Sequence, residues 1–363
     1  MKWILVAFAV LLAAPAFAQQ QPTAAEMAFI YELNRARSDP QRYDTENSLG
    51  GILNGVSAQP PLALNLNLVS SARWHSADMA YNGYFGHQRP ASTSAPPGAL
   101  WTASGSEWPN WMARQGGYTL PTSWPDTNNY IKSIAAYGTS GSSVSYSPQD
   151  ALKALIIDAN TPSLGHRIHL LAMNSFNQSF REVGTGYATG GGWTSGVNAA
   201  AYWAIHTGRH DSDPVWLTGV VYIDSNSNGR YDQGEGLQGV TVAVSGATNK
   251  NTTTTVGGGW SIDVSSGTWD LTCSGGTFTG TATANVTLTT ANIEVDFISG
   301  NSAGEVNFGN QVVNPPGGGG GSGGSDSGGG GGCAVERNAG LDWLAVLAVF
   351  FASLLIWRRR VSA

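Results

Sequence analysis

The stretch Asp224-Ser225-Asn226-Ser227-Asn228-Gly229-Arg230-Tyr231-Asp232-Gln233-Gly234-Glu235 puts oxygen-bearing side chains at loop positions one, three, five, nine and twelve, with glycine at six. Hard cations such as Ca2+ are held by several oxygens, and this is the spacing of a twelve-residue calcium loop. Asp224, Asn226, Asn228 and Asp232 offer side-chain oxygens, Arg230 its carbonyl, and Glu235 both carboxylate oxygens. Gly229 permits the sharp turn. The flanks are strand-like, so the loop is expected to hold a stabilising ion, with a dissociation constant on the order of 10⁻⁴ to 10⁻³ M, and not to act as a helix–loop–helix sensor. Histidines offer a second chemistry. His166 follows the turn Thr161-Pro162-Ser163-Leu164-Gly165 where an apolar run begins, and His87 closes Tyr84-Phe85-Gly86-His87 far upstream. Two imidazoles on separate elements can share a metal ion or a proton only if the fold brings them together.

The elements that must position these groups follow from periodicity. Met27, Ile30, Tyr31, Leu33 and Ala36 repeat with a helical period behind Thr23-Ala24-Ala25-Glu26, a capping-box pattern, and the helix should stop before Pro40. Leu66, Leu68, Val69, Ala72, His75 and Met79 predict a second helix; Leu152, Leu155, Ile156 and Ile157 predict a third, opening at Pro148. The stretch from Arg89 to Asn128, polar and rich in Pro and Trp, reads as loops. Short β-like runs follow at Glu182 to Tyr187 and Ala199 to His206. Helices with a few strands in this order predict an α+β domain. Beyond Pro214 the texture changes to β-branched runs at 218–223, 239–244, 260–264, 268–272, 282–288 and 293–297, separated by turn signals, which predicts a small all-β sandwich.

Composition limits the classes. Charged residues make up 12% of the chain and the formal net charge is −6, so the basic footprint of a nucleic-acid-binding protein is absent. The two cysteines, Cys273 and Cys333, lie in regions of different composition and provide no disulfide framework. Lys2, the apolar run Trp3 to Ala14 and Ala16-Phe17-Ala18 form a secretory signal peptide, with a mature chain expected from Gln19. At the other end a Gly-rich linker over 311–332 precedes Cys333, an apolar run from Leu341 to Trp357 and Arg358-Arg359-Arg360. That run predicts a transmembrane helix with a cytoplasmic C-terminus. The expected organisation is a signal peptide over 1–18, an α+β domain over 19–212, a β-sandwich over 213–310, the flexible linker, and a membrane-embedded tail over 333–363.

An ordered set of short motifs carries a resemblance. Asn34-Arg35-Ala36-Arg37, Pro61-Leu62 with Asn65-Leu66, Ala72 with His75 and Met79, Phe85-Gly86-His87, Gly165-His166-Arg167, Glu182-Val183-Gly184-Thr185-Gly186 and Tyr202-Trp203-Ala204 follow one another in the chain. Together they resemble the CAP superfamily (cysteine-rich secretory proteins, antigen 5 and pathogenesis-related proteins), its bacterial disulfide-free branch most closely, over Thr23 to Arg209. The resemblance implies an α–β–α sandwich with a central antiparallel sheet and an open groove. It also implies that His87 and His166 face each other there, with acidic partners and, in some members, a divalent metal. Asp158 is the candidate for one acid. Where the family shows a glutamate in Gly-Glu-Asn-Ile-Ala, this chain has Lys132 in Ile131-Lys132-Ser133-Ile134-Ala135, and a lysine beside the site repels a cation. His75 and His169 are read as packing, surface or structural residues; His206 and His210 carry no ligand signal.

The segment Gly219 to Gly239 is similar to the start of calcium-binding B-type repeats and related Ig-like modules. The Gly-rich tract, apolar helix and terminal arginines look like GlyGly-CTERM sorting tails of Gram-negative bacteria, whose helix an intramembrane protease removes after export; Cys333 is a processing or modification point in that reading. The expectation is therefore an exported protein, membrane-anchored by its C-terminal helix before processing and then surface-displayed or released. Its groove would bind a lipid, peptide or envelope ligand. Alternatives are a hydrolase in which Zn2+ or another divalent metal on His87 and His166 activates water with Asp158 as acid/base, and a structural adhesin.

Overall fold

The computed structural model describes residues 20–306 apart from Ser104 and Asn160. The signal peptide, the Gly-rich linker, Cys333 and the C-terminal apolar run lie outside the described residues. Among the described residues, no helix is long and apolar enough to cross a membrane.

The chain is α+β, with few helices and several sheets. Helix α1 (Ala24–Ser38) opens on a complete capping box, Thr23 Oγ1 accepting from the Glu26 amide and Glu26 Oε2 accepting from the Thr23 amide. It ends at Asp39, which caps the short α2 (Pro40–Glu46) by accepting from the Arg42 amide. Strand β1 (Ala63–Leu64) leads into α3 (Leu66–Asn82), capped by Asn65 at its start and by the left-handed Gly83 at its end. The stretch expected to be loops contains a further helix, α4 (Pro109–Gln115). Pro109 and Gly116 bound it, but its seven residues are too few for a sustained apolar period and it lacks a side-chain cap. Then come β2 (Lys132–Thr139), α5 (Pro148–Ile157), α6 (Gly165–Leu170), β3 (Glu182–Gly190) and β4 (Ala199–Gly208).

The first sheet runs β1-β3-β4-β2, antiparallel except for the short β1–β3 pairing. Strand β4 is buried over all ten residues because helices cover both of its faces. Even-numbered positions Ala200, Tyr202 and Ala204 pack with Ala72 and Met79 of α3. Odd-numbered Trp203 and Ile205 pack with Phe29 of α1 and with Leu152 and Ile156 of α5. Glycines in β3 let α3 approach: a Cβ on Gly184 would stand 2.1 Å from the Val69 nitrogen, and one on Gly186 2.2 Å from the Arg73 nitrogen. Their neighbours face the other way, where Thr185 Oγ1 donates to the Glu26 carbonyl (2.9 Å).

Strands β5 (Val215–Tyr222), β6 (Thr241–Ser245), β7 (Asn249–Thr253), β8 (Gly259–Val264), β9 (Gly267–Ser274), β10 (Thr281–Leu288), β11 (Ile293–Ile298) and β12 (Glu305–Val306) build two four-stranded sheets, β10-β9-β6-β7 and β12-β11-β5-β8. Trp260, Trp269, Val242, Leu271, Val295 and Phe297 belong to one core between them, with the buried free thiol of Cys273.

The compositional boundary at 213 is bridged by buried contacts. Val220, Tyr222 and Tyr231 belong to the core built around α1, with Tyr231 edge-on to Tyr31 at 5.4 Å. Asn34 Nδ2 donates to Glu294 Oε2 (2.6 Å), and Asn292 Nδ2 donates to the carbonyls of Pro61 (3.0 Å) and Arg181 (2.7 Å). The described residues on both sides of 213 therefore fall within one compact unit.

Candidate functional site

At the end of the first sheet, where β2 begins, the chain brings together two histidines that are far apart in sequence. The rings of His87 and His166 lie nearly parallel, with centroids 6.0 Å apart. Both line a groove of about 400 Å³ together with Asn129, Tyr130, Lys132 and Phe176. His166 opens α6 behind Leu164, whose positive φ of 51° turns the chain sharply.

Asp158 holds this histidine. It ends α5 in the left-handed conformation (φ 53°), and its Oδ1 accepts from His166 Nδ1 at 2.8 Å. A carboxylate here can only accept, so Nδ1 carries a proton. Asp158 Oδ2 accepts the backbone amides of His166 (2.9 Å) and Arg167 (3.4 Å). Burial works against the charged carboxylate, but hydrogen bonds from His166 and Thr161 outweigh it and hold its pKa below the usual range. Both oxygens of Asp158 are thus committed to orienting the α6 turn.

His87 differs. Its Nδ1 is buried without a hydrogen-bond partner. Burial first, and then the neighbouring Lys132 and histidines, push its pKa down to about 3, so the ring is neutral at physiological pH.

Behind the pair lies a buried polar cluster that periodicity did not reveal. Lys132 on β2 is in register with His206 on β4, and the α3 face of the sheet brings His75 up to them. Lys132 Nζ sits 2.5 Å from Nδ1 and 3.0 Å from Nε2 of His75, and 3.3 Å from the His87 carbonyl. Burial drives the lysine well below its ordinary pKa and lowers those of His75 and His206. On the opposite face Ser133 and Thr207 bracket His169, with Oγ–N distances of 2.7 Å on each side. Thr207 Oγ1 donates onward to the Ile131 carbonyl, so His169 Nε2 donates and Nδ1 accepts: a satisfied structural imidazole. Lys132 and His206 share a face through the register of β2 against β4, which strand parity alone does not supply.

The residues present do not fit a three-ligand hydrolytic zinc at this groove. Such a centre needs three protein ligands and an open position. Here two imidazoles are available, the carboxylate is engaged elsewhere, and an amine stands where the third ligand would belong. Among the described residues, the group that does bring three candidate ligand atoms within 4.8 Å of one another is Glu182, His210 and Asp213. Internal partners already serve it. Tyr118 donates to Glu182 Oε2 (2.7 Å), His210 Nε2 faces the same oxygen at 3.0 Å, and His210 Nδ1 meets the Thr119 carbonyl at 2.6 Å. With a carbonyl and a carboxylate at its two nitrogens, His210 is stabilised as a cation, its pKa raised chiefly by the bond to Glu182.

The calcium-type loop closes on itself. Glu235 Oε1 accepts the Ser225 amide and Oε2 the Asp232 amide, both at 2.9 Å. Asp224 accepts the amides of Asn228 (3.0 Å) and Gly229 (2.9 Å). Asn226 and Asn228 both reach Asp232 Oδ2 at 2.7 Å. Gly229 has a φ of 72°. The side chains form the all-oxygen donor set that Ca2+ prefers, and their oxygens here accept the loop's own amides.

Comparison with protein-family models and with curated proteins returned no match to this chain.

Proposed function

We propose that this chain is an exported protein of the CAP type whose groove binds a lipid, peptide or envelope ligand. The carrying observation is the meeting of His87 and His166, from distant segments, at 6.0 Å in one groove. Helices on both faces of the first sheet, and glycines in β3 under α3, support the α–β–α sandwich that the motifs imply. The two facing sheets beyond residue 213 support a β-sandwich, and the closed Asp224–Glu235 loop supports a stabilising Ca2+ there. Export, anchoring by the C-terminal helix and later processing rest on the sequence alone.

Binding is favoured over hydrolysis by the occupied carboxylate of Asp158 and by Lys132 beside the imidazoles. Melting curves of the purified chain with phosphatidylglycerol vesicles, an alanine tripeptide and neutral oligosaccharides test the reading. At least one probe should raise the melting temperature, and His87→Ala or His166→Ala should reduce that rise. No response to any probe, or a response that both variants retain, refutes a groove-binding function.

A further inference from the structure

The wall of the groove indicates what kind of ligand it suits. Phe176 is 41% exposed at the rim. Its ring is braced from behind by Trp124, stacked at 5.5 Å, and edge-on by Tyr130 at 5.5 Å and Phe180 at 5.7 Å. An aromatic ring so held presents apolar surface without the entropic cost of ordering it on binding. Two residues of its lining carry buried polar atoms that lack protein partners: Asn129 Oδ1, an acceptor, and His87 Nδ1. Buried polar atoms are normally hydrogen-bonded, so two orphans in one groove mark places for ligand groups.

Formal charge is missing from this surface. Among the described residues no aspartate, glutamate or arginine lines the groove. Its one lysine turns Nζ to the ring of His75 and toward the carbonyls of Gly86 and His87, at 3.5 and 3.3 Å. An anionic headgroup or a peptide terminus finds no counter-charge here. A neutral sugar ring meets every feature: its C–H face is apolar and lies against an aromatic, while its rim of hydroxyls can both donate and accept. Asn129 Oδ1 needs a donor, and His87 Nδ1 is served by a hydroxyl in either tautomer. The volume of about 400 Å³ lies in the range of small-molecule sites.

We propose that the groove takes a neutral sugar ring, laid against Phe176 with its hydroxyls on Asn129 Oδ1 and His87 Nδ1. The proposal rests on the groove-binding reading above and narrows its ligand class.

The test is calorimetric titration of the full chain with neutral trisaccharides (the N-acetylglucosamine trimer, maltotriose, cellotriose and mannotriose), alongside phosphatidylglycerol vesicles and an alanine tripeptide. At least one trisaccharide should bind saturably and change the Trp124 emission. Phe176→Ala, a change at an exposed rim position, should weaken it by about tenfold, near the upper end for a lost ring contact. Phe176→Tyr should restore it. Binding of vesicles or peptide without any sugar overturns the sugar assignment and leaves the groove reading standing. Sugar binding unaltered in Phe176→Ala also overturns it, since the sugar then sits elsewhere. Silence from every probe removes both.

Discussion

Removal of the Glu235 carboxylate should uncouple calcium from the stability of the whole folded unit. In the proposed calcium loop Glu235 would supply the bidentate position, and it accepts the amides of Ser225 and Asp232, so Glu235→Ala would delete both that ligand and the loop's closure. For a dissociation constant of about 10⁻⁴ to 10⁻³ M, 10 mM Ca2+ stabilises the native state by RT ln(1 + [Ca2+]/Kd), or about 1.4 to 2.7 kcal/mol. In a folded unit of this size that is a rise of about 2 to 5 °C in melting temperature. The structure adds a second requirement. Tyr231, inside the loop, is fully buried between Tyr31 and Tyr222, and Arg230 pairs with Glu46 of α2 at 2.5 Å. Order in the loop therefore reaches α1 and α2. Scanning calorimetry with circular dichroism at 222 nm, in EDTA and in Ca2+, should show helix and sheet melting together and shifting together. A calcium-dependent rise that survives Glu235→Ala would place the ion elsewhere. A helical signal indifferent to Ca2+ would refute the coupling through Tyr231.

Other perturbations follow from the same geometry. Gly184→Ala should cost about 3 kcal/mol or more, because its Cβ would meet backbone of α3 that cannot move aside; a urea midpoint within 0.5 kcal/mol of wild type (about the scatter of surface substitutions) would refute the close packing. The raised pKa of His210 means that its bond to Glu182 stabilises fully below about pH 6.5, the unfolded value, and is lost as pH rises through the folded value. Denaturation midpoints should therefore fall from pH 6 toward pH 8 by more in wild type than in Glu182→Gln, and equal slopes would exclude the pair as the cause. Lys132→Glu should place a carboxylate beside the two groove imidazoles and raise Zn2+ affinity by at least about tenfold in calorimetric titration; unchanged affinity would show that the lysine does not set it.

Much of the fold was legible because its signals are local. The capping box at Thr23–Glu26 and the proline at position 40 bounded α1, and Pro148 opened α5 where the periodicity placed it. In the second half, β-branched runs gave β5, β6, β8, β9, β10 and β11, whereas β7 was hidden: Asn249-Lys250-Asn251-Thr252-Thr253 alternates polar with polar at an edge. The loop from Asp224 to Glu235 was readable because its chemistry lies in consecutive residues. The groove was only partly so. His87 and His166 could be named from motifs, but Asp158's commitment to the α6 turn depends on a left-handed residue, and the approach of Lys132 to His75 depends on the register of β2 against β4. Register joins residues far apart in sequence, and local periodicity carries no information about it. The bridge across residue 213 was invisible for the same reason: composition changes there, yet Tyr31 and Tyr231 share one core.

That shared core has a consequence for the order of events as the polypeptide is made. Asn34 on α1 closes onto Glu294 of β11, and Pro61 beside β1 is tied by Asn292 at the mouth of the same strand. Full burial of this face of α1 therefore requires almost the last strand. A ribosome stalled or a chain cut near residue 212 would leave the apolar sides of Tyr31 and Leu64 in water. The two compositional halves complete each other's burial, in contrast to beads that set one after another.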